Sequence, residues 1–198
     1  AGQRMTVLML ASGSTSRARL LTAAGVNFLK DPADIDEAAL MRPGEPAPIV
    51  ARVLAEEKAL AVSQRHPGAL VLGGDSVLDF EGDLISKSPD IAVAKALLTR
   101  LSGKAHNIVS AAALARDGEI LWRHVGEGQL TMRALSPEFL DAYLAAEAPA
   151  VLASVGCYHL EGRGAQLFDK IEGDYFSILG LPLLQVLAAL REQGVLER

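Results

Sequence analysis

The segment Leu10-Ala11-Ser12-Gly13-Ser14-Thr15-Ser16-Arg17-Ala18-Arg19 carries a short apolar run into the start of a helix through a turn of small hydroxyl residues. Small side chains let backbone N–H groups approach an anion, and a helix N-terminus adds partial positive charge. Arg17 can supply a fixed fork of donors to phosphate oxygens. That is phosphate-binding chemistry; the competing reading is a capped helix with solvated arginines. The segment is not a P-loop, because G-x-x-x-x-G-K-[ST] is absent, and Ser102-Gly103-Lys104-Ala105 lacks both the upstream glycine and the following hydroxyl. No G-x-G-x-x-G follows a strand, so a dinucleotide fold has no support.

Asp75 follows an apolar run and two glycines, in Gly73-Gly74-Asp75-Ser76. A carboxylate beyond the carboxyl end of a strand can bind Mg²⁺ or take a proton from water. The same four residues also suit a capped turn. Lys58 falls one helical turn after Leu54 and two after Val50, on or beside an apolar stripe, where it either snorkels or points into a cleft. Lys87 ends a strand and is either a phosphate ligand or an edge-strand lysine. Glu37 lies in a proline-rich loop, where most acids are solvated. Glu161-Gly162-Arg163-Gly164 and Glu172-Gly173-Asp174-Tyr175 read as tight turns, or as places where backbone approaches a ligand closely. The four histidines have no zinc-ligand spacing, no G-x-S-x-G elbow is present, and Gly156-Cys157-Tyr158-His159 matches no catalytic cysteine signature. Cys157 is expected as a buried structural thiol.

The elements that position these residues alternate as in an α/β fold. Strands are expected over residues 7–11, 27–30 and 69–72, and helices over 17–24, closed by Gly25, and 49–64. Residues 31–48, with four prolines, read as irregular. Strands 77–80 and 84–86 flank a hairpin turn at Glu81-Gly82-Asp83. A helix over 89–101 takes Ser88 as its cap and Pro89 at its first position. Strands 106–115 and 120–125 form a second hairpin, continued by 129–134. A helix follows from Ser136 through Ala146, then a strand over 154–160, a run of uncertain type over 167–171, and a last helix to Arg191.

The 198 residues allow one substantial domain or two small lobes around a cleft. A net charge of -5 speaks against broad nucleic-acid binding, so an anionic substrate needs a local basic cluster. A single cysteine excludes an intrachain disulfide and fits a reducing cytoplasm. No run approaches the length of a membrane span. Ala1-Gly2-Gln3 precede the first Met and are set aside as a processing or cloning remnant.

Taken in order, these words resemble the Maf family, also called septum-formation-inhibitor-like nucleotide pyrophosphatases. The family opens with Leu-Ala-Ser-x-Ser-Pro-Arg-Arg and a Leu-Leu pair, a slot filled here by residues 10–21. Asp36-Glu37, Lys58-Ala59, Asp75-Ser76 and Lys87 (with Ser88 before Pro89) match its next words. Residues 101–106 match Leu-Ser-Gly-x-x-His, and 161–165, 171–175 and 180–183 match its closing signature.

The resemblance implies one two-lobed α/β domain over residues 1–198, a mixed sheet with flanking helices around a deep central cleft, similar to the ITPase-like proteins. It also implies hydrolysis of a nucleoside triphosphate to monophosphate and pyrophosphate, with Mg²⁺ or Mn²⁺, in a cytoplasmic housecleaning enzyme, often a homodimer. Its partner is a small-molecule nucleotide, neither nucleic acid nor membrane. Under it Asp75 is the proton acceptor, acting with Lys58, Lys87 and Glu37; Glu37 and Asp75 face the metal. Ser12, Ser14, Ser16, Arg17, Ser76 and Glu161 fall on the substrate-binding side. Three departures concern the base. Ser16 replaces the first Arg of the opening word. Ser76 is neither the Thr of the pyrimidine branch nor the Gln of the 7-methyl-GTP branch. Glu161 stands where the pyrimidine branch has Gln. The alternatives are a dTTP/UTP pyrophosphatase and a non-catalytic nucleotide-binding regulator of septum formation.

Overall fold

The computed structural model describes residues 6–198; Ala1-Gly2-Gln3 lie outside the described residues. One mixed sheet runs through them, in the order β2-β1-β3-β5-β6-β7, with β4 also paired to β3. Its strands are β1 (Leu8–Leu10), β2 (Leu29–Lys30), β3 (Leu70–Phe80), β4 (Asp83–Ile85), β5 (Ala105–Arg116), β6 (Glu119–Met132) and β7 (Phe168–Gly173). Only β2, β1 and β3 are parallel neighbours; all other pairings are antiparallel. The helices are α1 (Thr15–Ala23), α2 (Glu37–Leu40), α3 (Ala47–Ser63), α4 (Ile91–Leu101), α5 (Pro137–Glu147), α6 (Tyr175–Leu179) and α7 (Leu183–Glu192).

Successive side chains of a strand point to opposite faces. On β3, Val71 and Val77 join the α3 residues Val50, Leu54, Ala55 and Ala59 in one apolar layer. On the other face Leu70 and Leu72 pack with Leu21 of α1 and Val186 and Leu190 of α7. Leu78 and Phe80, further along that same face, belong to a separate cluster with Leu98 and Leu101 of α4 and Leu140 and Leu144 of α5. Between the two clusters stand Gly74 and Ser76, without apolar side chains. On this face the core therefore divides at the middle of β3, whereas the α3 layer on the other face runs through it.

Sheet pairing creates an opening at that seam. Along one edge of β3, β1 covers Leu70 to Leu72 and β4 covers Leu78 to Phe80. Residues 73–77 have no strand neighbour on that side, leaving about 16 Å of strand edge free. The other edge is paired continuously to β5, from Val71↔Ala115 to Asp79↔Asn107.

Several sequence expectations need correction. β3 is one strand, not a short strand followed by a Gly-Gly-Asp-Ser turn, because the long β5 ladder holds both glycines extended. Asp75 therefore lies mid-strand rather than beyond a carboxyl end. Residues 120–125 and 129–134 likewise merge into β6, whose bare backbone at Gly126 and Gly128 receives Ser177 and Ile178 of α6. Asp90, not Ser88, caps α4 by accepting from Val93 N–H; Ser88 is buried and accepts from the Cys157 thiol. Residues 154–160 form no strand. They follow a 3₁₀ turn at Ala150–Ala153, and Tyr158 fills the space beside His106. The proline-rich loop contains one helical turn, α2, capped by Asp36. The run of uncertain type over 167–171 falls mostly in the edge strand β7, which continues to Gly173.

His106 is buried, its Nε2 2.8 Å from Tyr158 Oη, and its Nδ1 has no partner among the described residues. Burial lowers its pKa from 6.5 to about 4. The unfolded chain takes up a proton on this ring below pH 6.5 and the folded chain only near pH 4. Its contribution is thus complete above pH 6.5 and is lost as pH falls toward 4, by about 3 kcal/mol. Urea unfolding between pH 7 and 4 should show this slope in the wild type and a shallower one in His106→Leu.

Candidate active site

A cavity of about 320 Å³ opens at the seam, and Arg17, Glu37, Lys58, Asp75 and Lys87 all line it. Each arrives on a different element. Arg17 lies in the first turn of α1, which starts at Ser14, whose Oγ caps Arg17 N–H at 3.3 Å. Glu37 opens the short turn α2, Lys58 lies on α3, Asp75 is at the middle of β3, and Lys87 follows β4.

Lys58 Nζ stands 2.9 Å from Asp75 Oδ1 and 2.9 Å from Glu37 Oε1. The lysine thus points into the cleft rather than snorkelling, and it joins two carboxylates far apart in the chain. Asp75 Oδ2 has no partner among the described residues, yet it is not sealed from solvent. Burial raises the Asp75 pKa above its ordinary value. The charges of Lys58 and then Arg17 pull it down, as does the Lys58 hydrogen bond, and Glu37 adds a small push upward. The result is a carboxylate held half-desolvated beside its counter-ions, a suitable state for a proton acceptor.

Arg17 is buried, and protein groups hold each of its nitrogens. Nε donates to Gly180 O at 2.8 Å, Nη1 to Ser12 Oγ at 3.1 Å, and Nη2 to Ser76 Oγ at 2.8 Å. Desolvation lowers its pKa, while Asp75 and Glu37 act to raise it. The guanidinium is therefore a fixed positive centre with two N–H bonds still free.

The two glycines before Asp75 exist for close approach. A Cβ on Gly73 would meet Ala55 O at 2.3 Å and Ala59 N at 2.8 Å, so α3 and its Lys58 rest directly on the strand. A Cβ on Gly74 would meet Arg17 Nε at 2.8 Å. Backbone direction adds to the site. Leu72 O accepts from Ala11 N–H and Leu70 N–H donates to Val7 O, so even-numbered backbone groups of β3 face the β1 side. By strand alternation the N–H groups of Gly74 and Ser76 face the free edge.

Other expected site residues are placed as follows. Ser14, Ser16 and Ser76 line the cavity. Ser12 is buried behind it, accepting from Arg17 Nη1 and from Ser14 N–H at 3.1 Å. Lys87 is exposed and makes no ion pair among the described residues. Glu161 is exposed and is not among the lining residues. The Glu172-Gly173-Asp174 word is structural, with Asp174 capping α6 through Ser177 N–H and Oγ. Arg163 pairs with Glu147.

Sequence reading missed Ser110 and Ser177, and took Gly180 only as part of the closing signature. Ser110 Oγ is fully buried, 2.6 Å from Ser177 O and 2.7 Å from Ser76 Oγ. A lone hydroxyl in the apolar run of β5 was the signal available for it. No cluster of three acidic, His or Cys ligands occurs among the described residues. Glu37 and Asp75 both bond Lys58 Nζ and both line the cavity, and two carboxylates completed by substrate oxygens and water are a normal magnesium set. No helix among the described residues is long and apolar enough to cross a membrane.

A mixed α/β sheet with a cleft at its seam, where one lysine bridges two acids beside a buried arginine, defines an acid–base site built for an anionic substrate. The chain belongs to the Maf-like protein family, whose model matches residues 7–193. A relative from Mesorhizobium japonicum named 7-methyl-GTP pyrophosphatase is 50% identical over 96% of this chain and 98% of its own. Another, from Paramagnetospirillum magneticum and named nucleoside triphosphate pyrophosphatase, is 49% identical over 95% of this chain and 99% of its own. A solved structure described as a nucleoside-triphosphatase / dITP/XTP pyrophosphatase from Mycobacterium abscessus aligns over 96% of each chain at 15% identity with a TM-score of 0.42.

The contacts at Gly73 are to backbone, which cannot swing aside. Gly73→Ala should lower stability by about 1–3 kcal/mol and displace Lys58 from Asp75. A lower urea midpoint together with lost activity is the expected pair of results. An unchanged midpoint would contradict the close packing of α3 on β3.

Proposed function

We propose that this pocket hydrolyses a nucleoside triphosphate to the monophosphate and pyrophosphate, with 7-methyl-GTP as the nucleotide. The observation that carries the reaction is the Lys58 ammonium held 2.9 Å from both Glu37 and Asp75 inside a cleft that Arg17 and Lys87 also line. The nucleotide is supported by the name of the Mesorhizobium relative.

The residues divide the work by their chemistry. Lys58, Lys87 and the free N–H bonds of Arg17 attract the triphosphate and offset the charge that builds on the leaving pyrophosphate. Ser14 and Ser16 at the start of α1, and the edge N–H groups of β3, supply neutral donors to phosphate oxygens. Asp75, through its unpartnered Oδ2, takes a proton from water as that water bonds to the α-phosphorus. The bond from phosphorus to the α,β-bridging oxygen then breaks, and pyrophosphate departs with the electron pair. Lys58 keeps Asp75 ionised and holds its other oxygen still. A divalent cation, Mg²⁺ or Mn²⁺, would be held by Glu37 and Asp75 with phosphate oxygens, and would neutralise polyphosphate charge there.

The remaining wall is apolar, formed by Leu84, Ile85, Ile108, Val155, Tyr158 and Ile178, and suits a base and sugar. Glu161 does not line it, so the nucleotide assignment does not rest on that carboxylate. The same reading includes a single two-lobed domain, a homodimer, and action in the cytoplasm.

Pyrophosphate release should be measured for 7-methyl-GTP, GTP, dTTP and UTP with Mg²⁺ or Mn²⁺. We expect release, fastest with 7-methyl-GTP, and a fall of about 10²–10⁴-fold in kcat for Asp75→Asn. Faster release from dTTP or UTP would move the substrate to the pyrimidine branch. No release from any nucleotide, with tight binding that survives Asp75→Asn, would replace the enzyme with a nucleotide-binding regulator.

A further inference from the structure

We infer that Ser110 is a positioning residue that sets the hydrogen-bond polarity of Ser76, so that Ser76 presents only an acceptor to the substrate and reads a donor group on the nucleoside. The inference rests on the nucleotide reading above and goes beyond it.

The polarity follows from a chain of contacts with one consistent set of proton positions. Ser177 O is a carbonyl and can only accept, so Ser110 Oγ, 2.6 Å away, directs its single proton there. Ser110 Oγ then has only lone pairs to offer Ser76 Oγ at 2.7 Å, and Ser76 must be the donor in that contact. On its other side Ser76 Oγ accepts from Arg17 Nη2 at 2.8 Å. Arg17 has no acceptor capacity, so that direction is fixed too. Ser76 is left with one lone pair and no proton for a ligand.

Ser110 is fully buried, whereas Ser76 is half-buried and lines the cavity. A substrate can therefore meet only the last member of the relay. Ionised phosphate oxygens are acceptors and find nothing to accept from at Ser76 Oγ. The groups that match are the ribose 2′-hydroxyl and the exocyclic amine of the base. Ser76 stands beside Asp75 in sequence but on the opposite face of β3, on the same face as Gly74 under Arg17. The strand thus separates the proton acceptor from the group that inspects the nucleoside.

Without the Ser110 hydroxyl, the Ser76 proton is free to rotate toward the cavity and the hydroxyl becomes either donor or acceptor. Discrimination should then fall while the chemistry continues. The test uses three ligands: 7-methyl-GTP, its 2′-deoxy form lacking the sugar donor, and 7-methyl-ITP lacking the exocyclic amine. Kd is measured by calorimetry and kcat and KM by pyrophosphate release, for wild type, Ser110→Ala, Ser76→Ala and the double variant.

In the wild type, one of the two analogues should bind about tenfold more weakly than the parent, and which one does so tells sugar donor from base donor. Ser110→Ala should reduce that ratio to about twofold through KM, with kcat close to wild type. In the double variant, Ser110→Ala should add nothing to Ser76→Ala, because it acts through Ser76. Equal recognition of all three ligands by the wild type would overturn the inference. So would a ratio unchanged in Ser110→Ala, a uniform loss for every ligand, or additive effects in the double variant. Selective binding without pyrophosphate release would defeat the hydrolytic reading and leave the relay standing; release with an unchanged ratio would do the reverse. No binding of any ligand would defeat both.

Discussion

Desolvating a carboxylate is unfavourable unless opposite charge and hydrogen bonds replace the lost water. Asp75 meets that condition at the middle of a buried strand. Lys58 bonds one of its oxygens, Arg17 adds a second positive centre, and the other oxygen opens to a cavity. Much of the surrounding architecture serves to bring those cations to it. α3 must lie on β3 closely enough for Lys58 to reach, and α1 must aim Arg17 across the sheet from a different face. In the proposed reaction the ionised acid is the working group, and the fold must support it.

Close approach is obtained by leaving out side chains at two successive positions. Gly73 admits the backbone of α3 and Gly74 admits the Arg17 side chain, so opposite faces of one strand converge near Asp75. The gap between β1 and β4 does the rest, because a strand paired along both edges would close the cleft. On the face away from α3, a separate apolar cluster lies on each side of this gap. The two halves can pack well without filling the space that the substrate needs.

A polar thread crosses the same seam. It runs from Ser12 through Arg17, Ser76 and Ser110 to the carbonyl of Ser177, with a branch to Gly180. It ties α1 to the turn between α6 and α7, segments separated by most of the chain. Buried polar groups satisfied in this way specify one arrangement more sharply than apolar contacts do. Arg17 thus acts as a strut that also lines the cavity.

Local order in the chain already indicated an α/β fold, the phosphate-suited turn at residues 12–17, the two hairpins, and the ordered words that resemble the Maf family. Those features depend on neighbours in sequence: apolar period, turn residues, helix caps. Both ends of the strand over residues 70–80 were legible but not its continuity, because paired glycines favour a turn locally and only the β5 ladder and α3 hold them extended. α2 and the relay through Ser110 were not legible either, since each takes its meaning from partners far away in the chain. Residue types and their places named Arg17, Lys58, Asp75 and Lys87 as candidates, and the resemblance added Glu37. Their convergence on one cavity, the bridging of two acids by Lys58, and the position of Glu161 outside the lining were decided by tertiary packing, which sets distances that spacing along the chain does not contain.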